Sequence, residues 1–413
     1  MLTAEIIAIG SELLTPQKTD TNSLWLTEKL NDIGVEVMLK TIVGDDELRL
    51  EEVIRDALKR SDIVITTGGL GPTEDDVSRQ VSARAIDREL VYHEEIEQHL
   101  RERFRAWGRE MPEINKRQAF VIEGSTILPN PNGSAVGMMV EIGDKVLAVL
   151  PGPPKEMRPM FSDHVLPKLT ENASELRVTR RVIKVSGLGE SAVDEATSPI
   201  YMAYENVQTS ILFNKSEVEL HLAARSANTA EAEFILAEIT DKIVEKLGKS
   251  VFSTNNESME QVVGRLLSER GETVSVAESC TGGLIGMRLT DVPGSSVYFR
   301  EGAITYSNEA KITRLGVAEE TIANFGAVSV ETAEAMAIGM REKTAADHAV
   351  SVTGIAGPDG GTEDKPVGTV CLGYAGRDGS KATRMVLPGD RYLIRWRSSQ
   401  AALDMLRRRL LRS

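Results

Sequence analysis

Ile6-Ile7-Ala8-Ile9-Gly10 is a short apolar run that ends at a glycine, and it decides the fold class of the N-terminal part of the chain. Such a run is typical of a strand that is buried on both faces of a parallel sheet. Similar runs recur at 35–42, 63–65 and 146–150, with amphipathic helical segments near 21–33 and 53–58. Because strands alternate with helices, the pattern predicts an α/β fold with a doubly wound, mostly parallel sheet.

The chain has 413 residues, which is too long for one hydrophobic core, so a multidomain protein is expected. We place the domains at residues 1–171, 172–252 and 253–413. The middle one is predicted to be a small α+β spacer, because Glu217 to His221 alternates polar and apolar residues and an amphipathic helix follows at 230–247. The last is predicted to be a second α/β domain. Its strands are expected at 273–277, 303–306, 349–353, 370–374 and 385–387.

Composition excludes several classes of function. The formal net charge of -14 argues against direct binding of nucleic acid. The two cysteines form no disulfide framework and fit a reducing cytoplasm, and the five histidines lack zinc-ligand spacing. No signal peptide is visible, and no apolar run approaches the roughly 18 residues of a membrane span. We therefore expect a cytoplasmic protein without a membrane partner.

The run Ala277-Glu278-Ser279-Cys280-Thr281-Gly282-Gly283 follows a predicted strand and opens a predicted helix. A helix N-terminus offers unpaired N–H groups, and paired glycines let a ligand approach the backbone. Such a turn can hold a serine nucleophile beside an oxyanion hole. Alternatively, Ser279 or Thr281 caps the helix, and spacing alone modestly favours this interpretation. Cys280 is a rival nucleophile by proximity.

A serine nucleophile needs a base, and no histidine lies in a suggestive position. Tyr306-Ser307-Asn308-Glu309-Ala310-Lys311 lies just beyond another predicted strand. A lysine that is desolvated in a cleft has a lowered pKa and can act as the base, with Tyr306 relaying or orienting the proton. An ordinary surface lysine is the alternative interpretation of Lys311.

A third loop, Thr353-Gly354-Ile355-Ala356-Gly357-Pro358-Asp359-Gly360-Gly361, also follows an apolar strand. The three loops could therefore meet at one edge of a sheet, where open α/β sheets bind ligands. So many glycines suggest backbone contact with a ligand, although a plain turn is equally consistent. Arg391 and Arg395, near the start of the last helix, could hold a phosphate.

These separated motifs resemble the C-terminal domain of the CinA (competence/damage-inducible protein A) family, and the chain resembles that family from end to end. The motifs are AESCTGG at 277–283, YSNEAK at 306–311, GAVS at 326–329, GIAGPDGG at 354–361 and KPVGTV at 365–370. That domain also occurs alone as a nicotinamide-nucleotide amidase. The resemblance implies hydrolysis of nicotinamide mononucleotide to nicotinate mononucleotide and ammonia, without a cofactor. It implies Ser279 as the nucleophile and Lys311 as its base, with Tyr306 nearby. The predicted substrate-binding residues are Thr281, Gly282, Gly283, Thr353, Gly354, Ala356, Gly357 and Arg391.

The N-terminal motifs resemble the molybdopterin-binding domain of molybdenum-cofactor biosynthesis proteins. They are GSELL at 10–14, DTNS at 20–23, GGLGPTEDD at 68–76, NPNG at 130–133 and PGPPKEM at 151–157. A glycine loop can cradle a pyrophosphate on its N–H groups. The predicted ligand-binding residues are Gly68, Gly69, Gly71, Thr73, Asn22 and Lys155. Asp75 and Asp76, with Asp45, could hold a divalent cation, although helix N-terminal charge is the simpler interpretation of the first two.

The family resemblance implies that the N-terminal domain is a metal-dependent ADP-ribose pyrophosphatase. Such an enzyme would use a divalent metal and optionally a monovalent cation. The first hypothesis is therefore a bifunctional enzyme of pyridine-nucleotide salvage, acting on nicotinamide mononucleotide and ADP-ribose. One alternative is a deamidase whose N-terminal domain only binds a nucleotide or pterin. Another is a non-enzymatic accessory protein of competence or DNA damage. A homodimer is expected, since cytoplasmic multidomain enzymes often form symmetric pairs.

Overall fold

The computed structural model describes residues 2–172 and 177–412, so residues 173–176 of the predicted spacer lie outside the described chain. Two compact units are present, one formed by residues up to 179 with 225–232, the other by 180–224 and the chain from 233 onward. The chain is a multidomain α/β protein whose two larger sheets both contain parallel strands, as predicted. Across the described residues, no helix is both long and apolar enough to cross a lipid bilayer.

The first unit has a six-stranded sheet in the order β2-β1-β3-β8-β7-β6. Its elements are β1 (Thr3–Ile9), α1 (Asn22–Asp32), β2 (Glu36–Val43), α2 (Glu47–Arg60), β3 (Ile63–Thr67), α3 (Ser78–Ala85), β4 (Leu90–Tyr92), α4 (Glu94–Ala106), β5 (Phe120–Ile122), β6 (Thr126–Leu128), β7 (Gly137–Ile142), β8 (Lys145–Leu150), α5 (Pro154–Met160) and α6 (Leu166–Asn172). Strands β2, β1, β3 and β8 are parallel, and β7 and β6 are antiparallel. The predicted mostly parallel sheet is confirmed.

Both faces of this sheet are covered by helices. Ile7 of β1 belongs to one buried cluster together with Leu50 of α2. Its neighbour Ile6 belongs to a second cluster together with Leu26 of α1. Successive side chains of a strand point to opposite faces, so a run without polar residues requires helices on both sides. The doubly wound arrangement follows directly from the composition of β1.

The middle of the chain forms a four-stranded sheet in the order β10-β11-β9-β12. Its elements are β9 (Arg177–Ser186), α7 (Glu190–Tyr201), β10 (Val207–Asn214), β11 (Glu217–Ser226), α8 (Thr229–Leu247) and β12 (Val251–Ser253). Strand β11 alternates buried and half-buried residues along its length, which confirms the predicted strand with one wet face. The predicted α+β character of this segment is therefore present.

The C-terminal part has a five-stranded sheet in the order β14-β13-β15-β16-β17. Its elements are α9 (Met259–Arg270), β13 (Val274–Glu278), α10 (Leu284–Thr290), β14 (Phe299–Ile304), α11 (Asn308–Leu315), α12 (Glu319–Phe325), α13 (Val330–Thr344), β15 (His348–Gly354), β16 (Thr369–Gly376), β17 (Gly379–Val386) and α14 (Arg391–Leu410). The predicted strands at 303–306 and 385–387 were misplaced, because β14 and β17 begin earlier. Both are edge strands rich in polar residues, so neither carries the apolar run that identifies a central strand.

Three neighbouring strands position the candidate site. Strands β14, β13 and β15 are adjacent and parallel, so their carboxyl ends lie at one edge of the sheet. The turn at Ser279, the segment from Thr305 and the glycine loop after Gly354 leave the sheet at this edge. Open α/β sheets bind their ligands at this kind of edge.

Candidate functional site

A cavity of about 280 Å³ lies at the carboxyl ends of these three strands. Its walls include eight of the predicted residues, namely Ser279, Tyr306, Lys311, Thr353, Gly354, Ala356, Gly357 and Arg391. The three loops that the sequence singled out therefore meet around one space.

Lys311 is the contact partner of Ser279. The Nζ of Lys311 lies 3.2 Å from the Oγ of Ser279. It also donates to the carbonyl oxygens of Thr305 at 2.9 Å and Tyr306 at 3.3 Å. Lys311 is only 1% exposed, so its interpretation as an ordinary surface lysine is wrong.

Burial lowers the pKa of Lys311, because removing water from the ammonium group disfavours its charged form. A neutral amine has two N–H groups and one lone pair. The two carbonyl oxygens can accept the N–H groups, which leaves the lone pair for the hydroxyl of Ser279. A serine hydroxyl beside a neutral amine is the arrangement that activates an oxygen nucleophile.

The helix after this turn is capped by Glu278. Its carboxylate, 1% exposed, accepts hydrogen bonds at 2.8–3.1 Å from the N–H groups of Gly283, Ile285 and Gly286. The alternative that Ser279 or Thr281 caps the helix is therefore wrong. Ser279 contacts Lys311 instead, and the buried Oγ1 of Thr281 has no partner in the described chain. The Ser279 hydroxyl is thus not occupied by a structural cap.

Thr281, Gly282 and Gly283 were predicted to bind substrate, but they are not among the residues that line the cavity. Thr281 is fully buried, and its carbonyl oxygen accepts a hydrogen bond from Arg395 at 2.7 Å. The φ angles of Gly282 and Gly283 are 60° and 92°, in the region that favours glycine. These residues shape the turn that presents Ser279.

The cavity wall also contains residues that were not among the predicted substrate-binding residues, namely Cys280, Ala327, Val328, Ile355, Asp359 and Gly360. Cys280 was predicted only as a rival nucleophile, and Ile355, Asp359 and Gly360 lie in the glycine loop that was predicted to contact a ligand. The motif at 326–329 was the available signal for Ala327 and Val328. The hydroxyl of Thr353 donates to the carbonyl oxygen of Ala327 at 2.8 Å, which holds this segment beside the glycine loop.

Cys280 is poorly suited to be the nucleophile. It is 5% exposed, and burial raises the pKa of its thiol to about 12. The thiolate is the reactive form of cysteine, so this side chain stays protonated and unreactive near neutral pH. Ser279 is therefore the better candidate nucleophile of the two residues.

Tyr306 and Arg391 stand together at this cavity. The Tyr306 side chain is 61% exposed, and its hydroxyl accepts a hydrogen bond from Arg391 at 3.3 Å. Arg391 also donates to the carbonyl oxygen of Gly357 at 2.8 Å. Within the described chain the Tyr306 hydroxyl makes no hydrogen bond to Ser279 or Lys311, which does not match the predicted proton relay. The arrangement instead places a cation where an anionic group could be held.

A second cavity, of about 380 Å³, lies in the first unit around the Gly68-Gly69 loop. Six predicted residues line it, namely Gly68, Gly69, Gly71, Asp45, Asp75 and Asp76. Thr73, Asn22 and Lys155 do not. Asn22 is buried and donates to the hydroxyl of Thr67 at 3.0 Å and the carbonyl oxygen of Gly152 at 2.7 Å, so it joins the end of β3 to the loop after β8.

The predicted metal site is not formed by the described residues. Asp45 accepts a hydrogen bond from the N–H of Ser11 at 2.9 Å, and Asp76 accepts from the N–H of Thr73 at 2.9 Å. Throughout the part of the chain that the structure describes, no three His, Cys, Asp or Glu side chains are grouped to hold a metal. Glu12 and Glu156 also line this cavity and were missed. The carboxylates line the same cavity, but no three of them are grouped so that they could ligate one metal ion.

The fold and this cavity define a multidomain α/β protein with a buried serine–lysine pair. Three family models match the chain: the CinA C-terminal domain over residues 256–410, a probable molybdopterin binding domain over 5–171, and the damage-inducible protein CinA KH domain over 180–253.

Similar proteins extend over the whole chain. A "CinA-like protein" of Solibacter usitatus is 49% identical over 407 residues, which is 98% of each chain. A "putative competence-damage inducible protein" of Caldicellulosiruptor saccharolyticus is 44% identical over 408 residues, 99% of each. A solved structure of the competence/damage inducible protein CihA from Agrobacterium tumefaciens is 43% identical, with a TM-score of 0.36, and covers 37% of this chain and 96% of its own. The chain belongs to the CinA family.

Proposed function

We propose that the cavity around Ser279 hydrolyses a carboxamide, and that its substrate is nicotinamide mononucleotide, as the family resemblance implies. One observation carries the proposal: the buried Nζ of Lys311 lies 3.2 Å from the Oγ of Ser279. A lysine buried beside a hydroxyl, in a cavity at the carboxyl edge of a sheet, is a costly arrangement that a purely structural role does not require.

The chemistry balances with residues of this chain. Neutral Lys311 takes the proton of the Ser279 hydroxyl while Oγ attacks the amide carbon. The tetrahedral intermediate then expels the amine, which takes the proton from Lys311 and leaves as ammonia. A water molecule, deprotonated by Lys311, hydrolyses the resulting ester, and the proton returns to Ser279.

The charge that develops on the substrate oxygen needs nearby donors. The backbone N–H group of Cys280 follows the nucleophile directly, belongs to a residue of the cavity wall and donates to no carbonyl oxygen of the described residues. It is the proposed oxyanion donor. The buried Glu278 supports it, because it holds the start of α10 and therefore the geometry of the turn.

The size of the cavity suggests how the substrate would be oriented. At about 280 Å³ it lies at the small end of ligand pockets, so it suits a ring with its carboxamide better than a whole nucleotide. The phosphate would then lie outside the narrowest part, and Arg391 is the proposed anchor because a guanidinium binds phosphate with two donors.

The test is ammonia release from nicotinamide mononucleotide by the full chain. Ser279→Ala should reduce kcat by at least ~10⁴-fold, since it removes the nucleophile. Cys280→Ala is the matched control at the next position and should retain substantial turnover. Normal turnover by Ser279→Ala, or loss of activity in the control variant alone, would overturn the serine mechanism.

We propose a second function for the cavity of the first unit, namely binding of a ligand that contains a pyrophosphate. The support is the backbone of the Gly68-Gly69 loop, whose φ angles are 117° and 63°. A Cβ on Gly68 would lie 2.1 Å from the carbonyl oxygen of Ile9, so the loop can follow this path only with glycine. ADP-ribose cleavage is the reaction that the resemblance implies. Because the carboxylates do not converge, we derive no metal-assisted step.

The second function is tested by incubating the protein with ADP-ribose and Mg²⁺ or Mn²⁺ and measuring AMP. Cleavage that EDTA stops, while ammonia release continues, would support a separate pyrophosphatase. Binding of ADP-ribose without AMP formation under any divalent metal would instead establish a binding module.

A further inference from the structure

A cavity of about 640 Å³ lies in the second unit and shares no lining residue with the cavity around Ser279. One wall is α14, and another comes from β17 and the residues that follow it. The lining also includes Ser186 at the end of β9 with Gly187 and Leu188 after it, Phe213 of β10, Ser216 between β10 and β11, and Leu372 of β16. The spacer that the sequence marked as purely structural therefore contributes to a ligand-sized space.

The lining is strongly cationic. Its five basic residues are Lys381, Arg397, Arg408, Arg409 and Arg412. Asp404 is its one carboxylate, and Arg407 and Arg408 already pair with it at 2.7 Å. The whole chain has a net charge of -14, so this concentration of positive charge is not a reflection of average composition.

Two cations of the lining lack a side-chain partner among the described residues. The side chains of Lys381 and Arg412 make neither an ion pair nor a hydrogen bond there. Both are therefore available to an anionic ligand.

Apolar side chains form the remainder of the wall. They are Leu188, Phe213, Leu372, Met385, Leu387, Pro388, Ala401 and Met405. Phe213 is 49% exposed although it is a large hydrophobic residue. Cations beside apolar surface match a ligand that is anionic at one end and apolar at the other.

We propose that this cavity binds a small organic anion, a ring or acyl body that bears a phosphate, carboxylate or sulfonate. Its volume falls within the range of about 300–1,000 Å³ that is usual for small-molecule sites. A nucleic acid fits less well, because the chain's overall negative charge opposes a long polyanion. The proposal is independent of the reaction at Ser279.

The test uses the full chain and two fluorescent probes. One is 8-anilinonaphthalene-1-sulfonate, and the other is N-phenyl-1-naphthylamine, which has the same ring system without the sulfonate. Lys381→Glu/Arg412→Glu should weaken sulfonate binding about tenfold at low salt, because two attractions become repulsions. Binding of the neutral probe should change less than about twofold. Phe213→Ser should weaken both probes, since it removes apolar wall.

Arg300→Glu, an exposed charge reversal on β14, is the matched control and should leave both titrations unchanged. Phenyl phosphate and decanoate as competitors distinguish a phosphorylated ring from a fatty-acid ligand, and displacement by either supports the proposal. Equal sulfonate binding by the double variant and the wild type, with unchanged melting temperatures, would overturn it. Displacement by a single-stranded oligonucleotide but by neither small anion would also overturn it.

Discussion

Replacing Lys311 by methionine removes the Nζ contacts and keeps an unbranched side chain of similar length. The carbonyl oxygens of Thr305 and Tyr306 lose a donor, and Ser279 loses its partner. Each unsatisfied buried polar group costs ~1–3 kcal/mol, but removing a buried, desolvated amine returns part of that cost. The expected net loss in free energy of unfolding is ~1–3 kcal/mol, which a domain of ordinary stability tolerates.

The loss of activity should be larger than the loss of stability. Removal of a general base lowers the rate ~10²–10⁴-fold, equivalent to ~2.7–5.4 kcal/mol in activation free energy. KM should change little, because Lys311 contacts Ser279 and two carbonyl oxygens of its own chain. The assay is steady-state ammonia release from nicotinamide mononucleotide, with urea denaturation of the same preparation.

Lys343→Met is the matched control for this variant. Lys343 lies on α13, is exposed, and also donates to a backbone carbonyl, that of Thr313 at 3.2 Å. Its loss should change kcat by less than about twofold, because exposed hydrogen bonds contribute little. A folded Lys311→Met protein that keeps the wild-type kcat would refute Lys311 as the base.

Four further predictions concern ionisation and the turn at Ser279. The rate should rise with pH to a midpoint below 10.5, because burial lowers the pKa of Lys311 and the neutral amine is the active form; a midpoint at or above 10.5 contradicts this. Across the same window, wild type should gain stability relative to Lys311→Met as pH rises towards 10.5, since the unfolded chain binds more protons there; urea titrations at several pH values measure it. Glu278→Ala leaves three N–H groups without an acceptor and should lower the free energy of unfolding by ~2–4 kcal/mol, whereas Glu301→Ala, on exposed β14, should cost less than ~0.5 kcal/mol; equal losses would reject the cap. Cys280 should resist iodoacetamide at about pH 8 in the native protein and react in urea, because burial raises the pKa of its thiol to about 12; mass spectrometry showing native labelling would disprove this.

Much of the fold could be predicted because its central strands carry their own signal. β1 and β3 contain continuous apolar runs, at 6–9 and 63–65, and such runs need cover on both faces. The edge strands β14 and β17 were misplaced, since a strand that is exposed to solvent mixes polar and apolar residues like a loop. The sequence pattern therefore located a strand best where both faces of that strand are buried.

The candidate site was predictable only in part. Motifs after strands located Ser279, Lys311 and the glycine loop, because parallel strands release their loops at one edge. The roles of the individual residues within these motifs were harder to predict. Ser279 or Thr281 was the predicted cap of the helix, whereas the carboxylate of Glu278 accepts the N–H groups.

The sequence by itself determined which segments are strands buried on both faces, and hence which turns meet at the candidate site. Only the tertiary structure decided that Lys311 meets Ser279 across 32 positions of chain, that it is buried there, and that Asp45, Asp75 and Asp76 do not converge. The physical reason is that side-chain periodicity is a local property of the backbone. Desolvation and hydrogen-bond pairing instead depend on distances between segments, which are set by packing alone.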